Sequence, residues 1–301
     1  MTVHIIINPH ARQGKAALLK PLMEALLIEH GLQATVHLCG TPDSLSSLFA
    51  SLSKGARVVG VGGDGTNHRL LPYLLAGQHE YGIVPYGSGD DVARAVGLFG
   101  MDWQTALLHA LTAPTGAVDV GLVTSEAGDT RHFLGCFLLG LDGLINNQTA
   151  AWKFKGALPY FFTLLKQLPA LRGWRLAMRY RQNDVHTTVP TQHQILCSVL
   201  NTPTYGSGYP IAPMTRMNDG TLSLLHAPMV GRFKFLQLFF KMLAGKHVGD
   251  PACHFGEITQ LSVQCEEYLS LSADGEVMDW KTRALTVQVL PAALNIVGKW
   301  A

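Results

Sequence analysis

The sequence predicts a two-part chain: an α/β domain with an open, largely parallel sheet, then a β-rich, sandwich-like domain with added helices. Three observations carry this reading. Over roughly the first 120 residues, apolar runs alternate with runs of helical spacing, the pattern of strand–helix units. After "VDVGLVTSE" the alternation stops, and short apolar runs separated by turn residues take over. Two glycine-rich turns, "GVGGDGT" and "YGSGDD", each follow an apolar run and open a helical one, as loops at the carboxyl ends of parallel strands do.

The elements follow in order. "VHIIIN" reads as a strand and "GKAALLKPLMEALLIEHG" as a helix closed by Gly31. "QATVHLCG" is a strand. "TPDSLSSLFASLSKG" is a helix with Thr41 at the N-cap and Pro42 at the first helical position. "ARVVGVGG" and "YGIVPYG" are strands, followed by the helical runs "TNHRLLPYLLAG" and "DDVARAVGL". In the second part, "RHFLGCFLLGLDG", "WRLAMRYRQN", "HTTVP", "HQILCSVLNT", "GTLSLLHAP", "EITQLSVQC", "EYLSLSADG" and "RALTVQVLP" read as strands. Two helical patterns interrupt them, one over 148–171 and one in "GRFKFLQLFFKMLAGK". The boundary is expected near Ser125–Gly128, giving domains of 1–125 and 126–290, with 291–301 returning to complete the first.

Bulk composition narrows the function classes. The 301 residues are 48% hydrophobic and 15% charged, with a net charge of +2. Neither a polyanion partner nor a nucleic-acid tail is indicated. No stretch approaches the ~20 apolar residues of a membrane-spanning helix, and the N-terminal apolar run is too short for a signal peptide. The five cysteines are scattered and never spaced C-x-x-C, which favours free thiols in a reducing cytoplasm. A serine or zinc hydrolase is disfavoured, because G-x-S-x-G and H-E-x-x-H are absent.

The glycine turns carry the chemistry. Gly60, Gly62, Gly63 and Gly65 surround one carboxylate, Asp64. Such a backbone can approach a phosphate at a helix N-terminus, but an acid there repels phosphate unless a cation or a proton-transfer role compensates. A tight turn with Asp64 as a helix cap is the alternative. In the second turn, Ser88 can donate to phosphate, and Asp90 and Asp91 suit the first turn of a helix.

"GGDGT" followed by "GIVPYGSGDDVAR" resembles the catalytic domain of the diacylglycerol kinase family, which includes bacterial lipid kinases and the sphingosine and ceramide kinases. The resemblance runs nearly the whole chain, through "NPHARQG", "TPDS", "VDVG", "LGLDG", "NTPTYGSGYPIAPMTRMNDGTLSLL" and "SADGE". It implies an NAD-kinase-like fold for the first domain and ATP-dependent phosphorylation of a lipid hydroxyl, with Mg²⁺. It places Asn8, Thr41, Gly63, Asp64, Gly65, Thr66, Asn67, His68, Arg69 and Ser88 at the ATP site. Asp64 and Glu276 take the catalytic roles, Glu276 as general base; a hairpin turn at Asp274-Gly275 is the plain alternative and the two are compatible. Asp219, with the main-chain oxygens of Arg216 and Thr221, corresponds to a structural Mg²⁺ site; Asn-Asp-Gly is also a plain turn. Arg12 and Lys15 read either as phosphate-facing or as a solvated helix start. Asp90 stands where the family has Asn, and His68-Arg69 where it has Asn-Glu.

The resemblance also implies a peripheral, cytoplasmic enzyme meeting its lipid at a membrane surface, and leaves a homodimer open. Candidate membrane-facing stretches are "GRFKFLQLFFKMLAGKH" and "KFKGALPYFFTLLKQL", each with a core-facing helix as its alternative. A kinase of a soluble hydroxyl compound such as NAD, and a nucleotide-binding regulator without turnover, are the competing functions.

Overall fold

The computed structural model describes residues 2–149, 162–163, 166 and 168–299. The chain forms two compact units, Met1–Val118 with Ala292–Ala301, and Asp119–Pro291.

In the first unit, strands β1 (Val3–Ile7), β2 (Thr35–Leu38), β3 (Arg57–Gly62) and β4 (Glu80–Pro85) are ordered β2–β1–β3–β4, all parallel. The returning C-terminal residues add to β4, with Asn295 opposite Glu80 and Ile296 opposite Tyr81. Ile5, Ile7, Val59, Val61 and Val84 are fully buried between the helical layers, which explains near-continuous apolar strands in place of alternation. The helices are α1 (Leu19–Glu29), α2 (Pro42–Ser51), α3 (Asp64–Gly77), α4 (Asp91–Ala95) and α5 (Trp103–Thr112). Strand order reverses between β1 and β3, which opens a crevice at the strands' carboxyl ends.

Two elements differ from expectation. The run expected to be helical from Gly14 is instead a 3₁₀ segment, Ala11–Leu18, with Arg12, Gln13 and Gly14 all left-handed at φ 48°, 59° and 92°. Consecutive left-handed residues cannot continue a right-handed helix. The α-helix starts at Leu19, where Pro21 falls in a first turn whose N–H groups lack intrahelical partners. The other is α5, which apolar spacing did not single out. Its signal is the N-cap: Asp102 accepts from the Thr105 amide at 2.9 Å.

The second unit is antiparallel. It holds strands β5 (Thr115–Ser125, from residue 119), β6 (Thr130–Phe133), β7 (Cys136–Gly140), β8 (Trp174–Gln182), β9 (Val185–Leu200) and β10 (Leu222–Pro228). There follow β11 (His254–Ile258), β12 (Gln260–Cys265), β13 (Leu271–Ala273), β14 (Glu276–Met278) and β15 (Ala284–Val297, to residue 291). The order is β14–β13–β7–β9–β8–β12–β15, with β10 joining β9 to β11. Helices among its described residues include α6 (Leu141–Thr149) and α7 (Arg232–Leu243). Phe137, Ile195, Val199, Leu224, Leu261 and Val287 are fully buried in its core.

Here expected strands divide and merge. "RHFLGCFLLGLDG" is β6, β7 and the start of α6, with Gly140 left-handed at φ 77° where strand becomes helix. "HTTVP" and "HQILCSVLNT" are one strand, β9. "EITQLSVQC" breaks at Thr259, whose amide donates to the Arg181 carbonyl at 2.8 Å. Most of the helical pattern over 148–171, and most of "KFKGALPYFFTLLKQL", lie outside the described residues.

Candidate active site

The first unit's site is built on glycines because backbones touch there. A Cβ on Gly87 would lie 2.4 Å from the Gly63 Cα, and one on Gly63 would lie 2.9 Å from the Gly87 Cα. The turns after β3 and β4 therefore meet main chain to main chain. Gly60 makes room for the Tyr81 hydroxyl, which donates to Asn67 Oδ1 at 2.6 Å in the core. Gly62 makes room for Thr66, whose hydroxyl accepts from Asn8 Nδ2 at 3.1 Å. Asn8 follows β1, so the turns after β1, β3 and β4 are joined.

Helix α3 begins at Asp64, with Gly63 at its N-cap and no side-chain cap. The Thr66 and Asn67 amides bond the Gly63 carbonyl, and the helix start is the positive end of the dipole, where an anion is favoured. Asp64 instead caps the neighbouring helix: its two carboxylate oxygens accept from the amides of Asp91 (3.1 Å) and Val92 (3.2 Å), at the start of α4. The capping role expected as the alternative is therefore real, but it acts across to the next loop.

Charge is concentrated here. Burial, with Asp91 and then Asp90 as like-charged neighbours, pushes the Asp64 carboxyl up to about 7. Asp90 is pushed up to about 6, again chiefly by burial, while the Gly87 amide and the Arg12 guanidinium act against the shift. Asp90 is left-handed at φ 55°, a conformation that Asn and Asp tolerate best among residues with a side chain. Its carboxylate accepts from the Gly87 amide. Arg12 is exposed, and its guanidinium stacks over the Tyr86 ring at 4.4 Å, beside the second glycine turn. A cluster of desolvated acids beside uncapped amides is stabilised by a cation arriving with an anion, the charge pattern of a metal–nucleotide.

The other expected site residues differ in position. Thr41 caps α2 through a capping box with Ser44. The adjacent Gly40 packs against Pro9 and His10, which brings that loop beside the one after β1. Thr66, Asn67 and His68 are buried, whereas Arg69 and Ser88 are exposed. Thr66 and Asn67 thus hold the loop from behind, while Gly63, Asp64 and Gly65 are half-buried.

In the second unit, Asp274 and Gly275 form a two-residue hairpin turn between β13 and β14, left-handed at φ 51° and 83°. Asp274 accepts from three consecutive amides, Leu134 (3.0 Å), Gly135 (2.7 Å) and Cys136 (3.0 Å). That clamp fixes the turn, and the first residue after it is Glu276, exposed. The turn expected at Asp274-Gly275 is present, and it leaves Glu276 exposed just after it.

The loop before β10 is also clamped. Thr221 donates to Asp219 Oδ1 through its amide (3.0 Å) and its hydroxyl (2.9 Å). The buried Asp119 accepts from the Gly220 amide at 2.7 Å, and its own amide donates to the Met217 carbonyl. Asp119 is the acid that motif reading did not place beside this loop; its signal was "VDVG". Asp219 is the turn acid expected, with Oδ2 left over after Oδ1 is engaged. Among the described residues, no cluster of three or more His, Cys, Asp or Glu is arranged to hold a metal.

Comparison with known proteins bears directly on this arrangement. Residues 2–123 match the model of the diacylglycerol kinase catalytic domain, and residues 135–298 match that of the YegS C-terminal NAD kinase beta sandwich-like domain. The chain belongs to the diacylglycerol kinase family of lipid kinases. A "Diacylglycerol kinase" of Mycobacterium tuberculosis is 27% identical over 259 residues, 85% of this chain and 81% of the relative. One of Bacillus subtilis is 24% identical over 280 residues, 90% of this chain and 88% of the relative. "Ceramide kinase 1" of Caenorhabditis elegans is 23% identical over 98% of this chain and 65% of the relative. The crystal structure of a diacylglycerol kinase from Bacillus anthracis superposes with a TM-score of 0.70 at 18% identity, covering 99% of this chain and 97% of that one. The last comparison speaks to fold: the family's parallel first domain and sandwich-like second domain are those described above. No helix among the described residues is long and apolar enough to cross a membrane.

Proposed function

We propose that the protein transfers the γ-phosphate of ATP to a hydroxyl of a diacylglycerol-like or sphingoid lipid, peripherally at a membrane surface. The observation that carries this is the contact of two glycine turns at the carboxyl ends of β3 and β4, with Asp64 desolvated beside the uncapped start of α3. Phosphoryl transfer asks mainly for positioning and charge neutralisation. The amides of Gly63, Asp64 and Gly65 would grip the phosphates, and Asn8, Thr66 and Asn67 hold those amides in place. Thr41, Ser88, His68 and Arg69 complete the nucleotide site in this reading. The Mg²⁺ that travels with ATP is part of the substrate, and Asp64 would offset its charge. Glu276 accepts the proton of the attacking lipid hydroxyl; an exposed acid on a clamped hairpin suits a base that must meet a separate substrate.

The loop Arg216–Thr221 offers hard oxygens for a structural Mg²⁺: Asp219 Oδ2 and the main-chain carbonyls of Arg216 and Thr221. Such an ion would fix the loop and take no part in the transfer.

The test is a γ-phosphate transfer screen in mixed micelles over diacylglycerol, ceramide, sphingosine and phosphatidylglycerol, with soluble NAD in parallel. Labelled lipid is expected, lost about 10²-fold or more in Glu276→Ala. Label on NAD alone would favour a soluble-substrate kinase. No transfer at all, with ATP still bound, would leave a non-catalytic nucleotide binder.

A further inference from the structure

The second unit displays an apolar, basic face that phosphoryl transfer does not use. Helix α7 buries Phe235, Leu238, Phe239 and Met242 in the core, yet Phe233 is 86% exposed and Phe240 52% exposed. These two lie at i and i+7, two turns apart on one side of the helix. Met229 before the helix and Val248 after it are exposed as well. At 86% exposure, Phe233 would gain by transfer out of water.

The charge around it is one-sided. Residues 228–250 hold four bases (Arg232, Lys234, Lys241, Lys246) and one acid (Asp250), 4 − 1, a net +3. Asp250 is buried, and it accepts from Lys234 Nζ at 2.9 Å and Lys241 Nζ at 2.6 Å. Those contacts tie the loop after the helix back onto α7. Arg232 and Lys246 remain exposed. Arg232 donates to the Pro169 carbonyl, a neutral partner that leaves its charge uncompensated. No exposed acid occurs in this segment.

We propose that Met229, Arg232, Phe233, Phe240, Lys246 and Val248 form a docking face for the surface of an anionic bilayer. The apolar side chains enter the headgroup boundary, and the two bases stay at the lipid phosphates. A second copy of the chain fits worse, because it would set one +3 segment against another. The proposal deepens the lipid-kinase reading by naming the surface that brings the protein to its substrate, and its test needs no turnover.

Full-length protein is co-sedimented with phosphatidylcholine vesicles, with and without phosphatidylglycerol. Binding is expected only with phosphatidylglycerol and should weaken with salt. Phe233→Ser/Phe240→Ser should lower it at least about tenfold. Arg232→Gln/Lys246→Gln should lower it about fivefold per charge removed. Transfer to a short-chain lipid in detergent micelles should be unchanged in both. As a check independent of those variants' folding, Phe233→Trp should blue-shift its emission on phosphatidylglycerol vesicles alone. Equal sedimentation of wild type and both double variants, or an unshifted emission from the Phe233→Trp variant, overturns the proposal. So does a concentration-dependent dimer abolished by Phe233→Ser/Phe240→Ser without vesicle binding. Vesicle binding without turnover supports the docking face and counts against the kinase reading alone; turnover without vesicle binding does the reverse.

Discussion

Asp64 carries two duties that pull against each other. As a cap it is held by two amides, and as a desolvated acid beside Asp91 and Asp90 it is held near neutrality at about 7. A carboxyl raised in the folded state stabilises the fold fully below its unfolded value, near 3.9, and loses that contribution as pH rises through 7. The ligand-free protein should therefore lose about 1–3 kcal/mol of stability between pH 5 and pH 8, discounting the full shift for coupling among the acids. Asp64→Asn removes this slope. It also sets an amide N–H₂ against one of the two donors, so the variant should be no more stable than wild type at pH 5 and more stable at pH 8. Melting temperatures across that range check this, and a constant difference between the two proteins would refute it. Turnover in the same variant should fall about 10²-fold or more.

At the scale of elements, the requirement is for bare main chain where two turns meet. Gly87→Ala would place a methyl 2.4 Å from the Gly63 Cα and 2.6 Å from Asp90 Oδ1, with backbone on one side and a carboxylate held by the Gly87 amide on the other. Overpacking of this kind costs about 1–3 kcal/mol. Because the turns must part to relieve it, ATP-analogue affinity should fall at least about tenfold by calorimetry. Gly231→Ala, which meets only open space, should leave affinity unchanged. Equal affinities for the two variants would show that the turns need not touch. The apolar runs of β1, β3 and β4 read correctly because those strands are largely buried, and the edge strand β2 reads from its shorter run. The 3₁₀ segment was hidden because the apolar residues Ala16, Ala17 and Leu18 continue unbroken into α1.

Across the whole molecule, the chain's last residues belong to its first unit. Leu294, Ile296 and Val297 are buried, and the Lys299 amide donates to the Val96 carbonyl at 2.9 Å. Truncation after Pro291 strips β4 of a neighbour and exposes those contacts. The first unit's residues should then lose hydrogen-exchange protection ahead of residues 119–291. Unchanged protection of Val58–Val61 would contradict this. The return of the tail was readable in the sequence only as an apolar "LNIV" with no partner of its own; its place beside β4 is a long-range pairing that no local pattern encodes.

By itself the sequence determined the strand–helix alternation, the change to antiparallel grammar, and the glycine turns with their acid. Each of these rests on local spacing, or on backbone conformations that few residues can adopt. Only the tertiary structure decided that Asp64 caps α4 and not its own helix, and that Asn67 turns inward to Tyr81. The same holds for Asp274, which gathers three amides from 134–136, and for Asp119, which closes on Gly220. The reason is shared: a carboxylate's or carboxamide's partner is fixed by which amides and hydroxyls the fold delivers to it, and those arrive from distant positions in the chain.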